Sequence, residues 1–192
     1  CGALGDLSHT LLRQGDAVRA LAVARQALDT AVHVQARDFE AQSLCRVGEA
    51  ELALGNHAAA AAAFERAESV AAAIGHGVEH DALAGRARVA LDASDLAGAM
   101  AFVERLLARA AGAGALEGAD AKRILLTCHQ VLAAAGDPRA AAPLERAHAL
   151  LQSRAATIDD PALRASFLSR IAEHREILAR WRNERGRSTG EE

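Results

Sequence analysis

Leucine and alanine recur at intervals of three and four residues along most of the chain, interrupted at regular places by turn residues. That spacing puts the apolar side chains on one face of an α-helix. Four segments share one register: LRQGDAVRALAVARQAL from Leu12, LALGNHAAAAAAFERAESV from Leu52, LDASDLAGAMAFVERLL from Leu91 and LAAAGDPRAAAPLERAHAL from Leu132. The leading leucines lie 40, 39 and 41 residues apart, and a fixed period of this length marks a repeat architecture. Each break offers a good helix N-cap, namely Asp16, Asn56, Asp95 and Asp137, whose side chain can accept from an otherwise unpaired backbone N–H. Pro138 follows at the first helical position, where its missing N–H costs nothing.

The pattern predicts a helix A at about 3–14, 41–54, 80–93 and 120–135, each followed by a helix B at about 16–33, 57–74, 95–111 and 137–156. Gly75 and Gly77 close the second pair, and GAGALEG at 112–118 separates the third from the fourth. A last helix over 160–182 starts at Asp160-Pro161 and carries Leu163, Phe167, Leu168, Ile171, Ile177, Leu178 and Trp181 on an otherwise charged surface. It reads as a cap over the end of a stack. The expectation is one array over 1–182, with repeats at about 1–40, 41–79, 80–118 and 119–158, and a flexible tail at 183–192.

Composition narrows the class to all-α. Hydrophobic residues make up 51% of the 192, but aromatic ones only 3%, with three prolines and no tyrosine. Strand-favouring side chains are scarce, whereas Ala, Leu, Glu and Arg favour helices. No run of eighteen apolar residues lacks a charge, so no membrane span is predicted. The net charge of −3, from 22 basic and 25 acidic residues, leaves no general footprint for nucleic acid or an acidic membrane. Cys1, Cys45 and Cys128 are odd in number and far apart, which fits a reducing, cytoplasmic location. Helix-like sequence begins almost at once after Cys1, so that residue reads as a boundary within a longer chain and not as a lipidated terminus.

The repeats resemble tetratricopeptide (TPR) repeats. The resemblance is carried by Leu4, Leu7, Leu11, Gly15, Ala20, Ala24 and Ala27 in the first, and by Leu44, Val47, Gly48, Gly55, Ala60, Phe64 and Ala67 in the second. The fourth contributes Ile124, Cys128, Val131, Ala140, Leu144 and Ala147. In the third, Leu83, Ala87, Ala90, Ala99 and Val103 fit, but Arg86 stands at a usually apolar place and Leu106 replaces a small residue. The family's large aromatic early in helix A is Leu or Ile throughout, and its usual Pro at the end of helix B is missing. The period near 40 resembles the long repeats of bacterial MalT-like ATPase regulators, and the final helix resembles the end of helical arrays in bacterial signalling kinases.

The resemblance implies a right-handed solenoid with the A helices lining a concave groove. Carried over residue by residue, the groove has one row of His9, Glu49, Arg88 and His129 and a second of Gln42, Asp81 and Lys122. A third holds Arg13 and Asp92 with Ala53 and Ala133 between them, and a fourth Gly5, Cys45, Ala84 and Leu125. Arg88 and His129 are the expected recognition residues, with Glu49 and Lys122 in support. Mixed signs disfavour a clamp for a terminal carboxylate and favour matched local charge pairs. The expected function is a non-enzymatic interaction module, without a cofactor, holding a protein or peptide segment or an adjacent domain of the same polypeptide. The alternatives are a small-effector sensor, a solvated face and a plain spacer.

Catalytic readings have less support. HGVEH, from His76 to His80, matches the H-x-x-E-H zinc pattern, but it sits on a turn and lacks a third ligand. There is no phosphate-binding loop, dinucleotide fingerprint, serine elbow or C-x-x-C pair. Cys45 beside Arg46 and Cys128 beside His129 are adjacent in sequence and so point in different directions on a helix. Both are expected to be packing residues. Phe64 and Phe167 are expected in the core, Phe39 and Phe102 at the surface, and Trp181 in packing of the cap.

Overall fold

The computed structural model describes residues 2–75, 77–110 and 120–188. Cys1, His76 and the 112–118 linker therefore lie outside the described residues, as does the end of the tail from 189. All regular structure among the described residues is helical. The chain divides into two compact units, Cys1–Ala119 and Asp120–Glu192.

The first unit contains α1 (Gly2–Arg13), α2 (Ala17–His33), α3 (Arg37–Ala53), α4 (His57–Ile74), α5 (Glu79–Asp92) and α6 (Leu96–Ala110). Each packs on its successor, and the A helices also touch one another, α1 with α3 and α3 with α5. The B helices are fitted between them by small side chains. In α2, Ala20, Ala24, Ala27 and Ala31 form a fully buried stripe at the 4-3-4 spacing of one helix face. The approach there is close enough for the Ser8 hydroxyl of α1 to donate to the Ala20 carbonyl at 2.9 Å. In α4 the stripe is Ala60, Ala63, Phe64, Ala67 and Ala71. Phe64 needs glycine on both neighbours: a Cβ at Gly48 of α3 would lie 2.8 Å from its ring, and one at Gly85 of α5 closer still.

The turns inside the pairs repeat one geometry. Gly15, Gly55 and Ser94 have positive φ, at 85°, 79° and 61°, and the following N–H of Asp16, Asn56 and Asp95 donates back to Leu11, Glu51 and Ala90 at 3.0, 2.9 and 2.8 Å. This is the Schellman closure of a helix, whose left-handed residue favours glycine. Ser94 is the exception among these three, so Ser94→Gly is expected to raise stability by about 0.5–1 kcal/mol, the left-handed penalty less the added chain entropy. An unchanged or lower melting temperature by circular dichroism would count against the strain. Asp16 and Asp95 cap as predicted, accepting from Arg19 N and Gly98 N. Asn56 does not: its amide donates to the buried Glu51 carboxylate at 2.8 Å, because satisfying that acid takes precedence over a solvent-exposed N–H.

Other departures have local causes. The second helix A starts at Arg37, before the predicted 41, because Glu40 is buried there between Arg37 and Arg66. Arg86 is tolerated at an apolar repeat position because Glu68 of α4 binds it at 2.5 Å and its guanidinium lies over the half-buried Phe102 ring at 4.4 Å. Glu68 also binds Arg105 of α6.

The second unit contains α7 (Ala121–Ala134), a 3-10 turn (Pro138–Ala140), α8 (Ala141–Ala156), α9 (Pro161–Arg170) and α10 (Ala172–Ser188). Gly136 repeats the left-handed turn at φ 68°, and Asp137 caps Arg139 N at 2.8 Å. The predicted single cap helix over 160–182 is two helices. Ile171 is extended, at φ −84° and ψ 122°. Nδ1–H of the buried His174 donates to the Phe167 carbonyl at 2.8 Å, and Arg175 donates to the Ser169 and Arg170 carbonyls. Those side chains replace the backbone donors that the break removes from the end of α9. The helical chain then continues through Ser188, beyond the predicted start of the tail at 183. Trp181 of α10 stacks on His148 of α8, centroids 4.4 Å apart and planes at 11°, with Arg185 at 5.0 Å from the Trp181 ring centre. Trp181 thus packs on α8, as expected.

Candidate functional site

The A helices of the first unit touch through their edges, so matching positions on α1, α3 and α5 form columns across one layer. His9, Glu49 and Arg88 hold one such position. His9 and Glu49 are half-buried and already engaged, Glu49 accepting from Arg46 at 2.8 Å. Arg88 is half-buried too, but it makes no ion pair or hydrogen bond with another described residue. Gln42 and Asp81 are half-buried, Asp81 being engaged, and Arg13 and Asp92 are exposed near the C-terminal ends of α1 and α5. Cys45 and Ala84 are buried, which removes the fourth row from solvent within this unit save for Gly5.

The second unit buries two of the expected groove positions. His129 is 2% exposed. Its Nδ1–H donates to the Ala140 carbonyl at 3.0 Å, and Glu184 of α10 lies 3.6 Å from the same nitrogen. It braces the α7–α8 turn under the final helix and presents nothing to a groove. Leu125 is buried at 5% exposure, as the transfer of an apolar side chain from water favours. Lys122 is half-buried and 3.9 Å from Asp120.

A cleft lies between α1 and α3, with about 60 Å³ of accessible space, room for a few waters and far below a drug-sized pocket. Asp6, Gln42, Ser43 and Arg46 supply its polar lining, and Phe39 an aromatic wall, half-buried where surface exposure was expected. Of these, only Gln42 is visible to the repeat pattern as a site residue. Ser43 falls on the buried side of its helix, and nothing in its spacing announces that it faces an opening.

The chemistry-bearing motifs are not assembled. His76 lies outside the described residues, and His80 Nδ1–H donates to the Gly77 carbonyl at 3.0 Å, stabilising the turn into α5. Among the described residues no group of three or more His, Cys, Asp or Glu is placed to hold a metal ion. Cys45 and Cys128 are buried, and burial pushes the Cys128 thiol up to about 12, so it stays protonated and unreactive at neutral pH. No helix among the described residues is long and apolar enough to cross a membrane.

Ten helices among the described residues, packed as successive pairs, define an all-α protein of the helical-repeat class. No family model matches the chain, and no curated protein matches it.

Proposed function

We propose that this chain is a non-enzymatic protein–protein interaction module, a right-handed TPR-like array whose A-helix face holds a protein or peptide segment. The long repeat and the resemblance of the final helix to the end of helical arrays in signalling kinases favour a place as the regulatory part of a larger bacterial signalling or transcription-regulating protein, in the cytoplasm. One observation carries the reading. The buried acids Glu40, Glu51 and Glu68 each hold an arginine, whereas Arg88 is half-buried on the A-helix face with no counter-charge among the described residues. A partly desolvated cation without a partner is unfavourable, and a carboxylate on a docked segment would complete it with a charge-assisted hydrogen bond.

Affinity capture with the wild-type protein and with Arg88→Glu tests this. Charge reversal is expected to weaken retention of a specific partner at least tenfold, about 1.4 kcal/mol or more, with the melting temperature unchanged because Arg88 supports no internal contact. Equal retention by both proteins removes Arg88 from the site.

A further inference from the structure

We propose that α9 and α10 are two halves of one switch helix, broken at Ile171 in this structure and continuous over 161–188 when the side chains of His174 and Arg175 release α9. The device lies within the second unit and is independent of the docking face proposed above.

Nothing local asks for the break. The stretch SRIAEHRE from Ser169 contains neither Gly nor Pro, and Ala, Glu and Arg are good helix formers. Ile171 is nevertheless extended, at φ −84° and ψ 122°, and side chains from beyond it hold it so. Nδ1–H of His174 donates to the Phe167 carbonyl at 2.8 Å, and the two rings touch with centroids 4.5 Å apart. The Arg175 guanidinium donates to the Ser169 and Arg170 carbonyls at 3.1 and 2.9 Å.

The two forms exchange like for like. In a continuous helix the same three carbonyls would accept from backbone N–H groups four residues further on, so their hydrogen bonds are replaced and not lost. Little apolar burial opposes the change: no residue of α9 is buried, and Leu163 is 62% exposed. Continuity also aligns what the break divides. On one helix Leu163, Phe167, Ile171, His174, Leu178 and Trp181 follow at intervals of 4, 4, 3, 4 and 3, which makes a single stripe. Two arrangements of one sequence that differ by a few exchanged contacts constitute a bistable element.

The test is the distance between nitroxide labels on the intact chain, carried by Ala162→Cys and Asn183→Cys in a Cys1→Ser background. Both labelled positions are exposed, and Cys45 and Cys128 are buried. The labels are 21 residues apart, so a continuous helix holds them about 32 Å apart. The broken form is shorter, because α9 packs on α10. The otherwise unsubstituted protein is expected to show the short distance, with a long component below about 10%. Replacing His174 and Arg175 together by alanine is expected to make the long distance the major one, its ratio to the short rising about tenfold or more. Arg175→Ala alone, at an exposed position and so without risk to the core, is expected to raise that ratio about threefold. Adding Ala172→Pro to either variant is expected to return the short distance. Proline fits the first position of α10 and favours an extended Ile171, but it breaks a continuous helix. Circular dichroism and Trp181 fluorescence check that each variant is folded. The proposal is overturned by a long distance as the major one before these substitutions, or by an unchanged short distance in the folded alanine variants. A broad distribution in place of the long distance, or a long distance that survives Ala172→Pro, overturns it equally.

Discussion

Phe64→Ala is expected to destabilise the first unit by about 3–5 kcal/mol, lowering its thermal midpoint on the order of 10–20 °C. The ring is 1% exposed and is the largest fully buried side chain among those described. Two terms add: the lost transfer of the ring from water, and the cavity that remains. The cavity is the larger concern here, because the residues over the ring are Gly48 and Gly85, which have no side chains with which to refill it. Collapse would require α3 and α5 to move together onto α4, and α3 is already held against α1 and α2. Thermal or urea unfolding followed by circular dichroism measures the effect. A loss below about 1 kcal/mol would mean that the helices close over the gap and that the two glycines do not determine the packing.

The second large effect belongs to Glu68. Glu68 is 9% exposed, and its carboxylate binds Arg86 of α5 and Arg105 of α6. Removing one partner of a fully buried ion pair costs about 3–5 kcal/mol. Here the arginine side chains remain 25% and 43% exposed and can rehydrate, so Glu68→Ala is expected to cost less, about 2–3 kcal/mol, near the value of hydrogen bonds to charged groups. The same contacts give stability a pH dependence. Burial pushes the Glu68 carboxyl up, but the hydrogen bonds and charges of Arg86 and Arg105 outweigh it and leave it below its ordinary 4.5. Glu40 is lowered in the same way: burial raises it, and Arg37 and Arg66 outweigh that. Below pH 4.5 the unfolded chain takes up protons that the folded carboxylates resist. Their contribution is whole above pH 4.5 and is lost as pH falls through the lower folded-state values. The wild-type melting temperature is expected to drop more steeply than that of Glu68→Ala across this range. Parallel curves would show that Glu68 is not a source of the acid sensitivity.

The helix pairs are legible in sequence because their signals are local. The 3.6-residue spacing, a left-handed glycine and an aspartate at the turn act within a few residues of one another, and Asp16, Asp95, Asp137 and Asp160 cap where they stand. What escapes the sequence is set by neighbours in space. The break at Ile171 has neither Gly nor Pro to announce it; it exists because His174 and Arg175 reach back to the carbonyls it exposes. His129 occupies a groove position in the repeat pattern, but α10 brings Glu184 to its ring, and no repeat rule describes a helix outside the repeats. Arg86 breaks the apolar pattern until Glu68 and Phe102 are seen beside it. The cleft is hidden for the same reason, since its polar lining is divided between α1 and α3.

Glu68 also has a mechanical consequence. Stacked repeats connected only through nearest neighbours can be pulled apart one helix at a time. By gripping α5 and α6 from α4, this single carboxylate couples three consecutive helices, and Glu79 of α5 holds Arg109 near the end of α6 as a second tie. Separating α6 from α5 therefore also breaks its tie to Glu68 of α4.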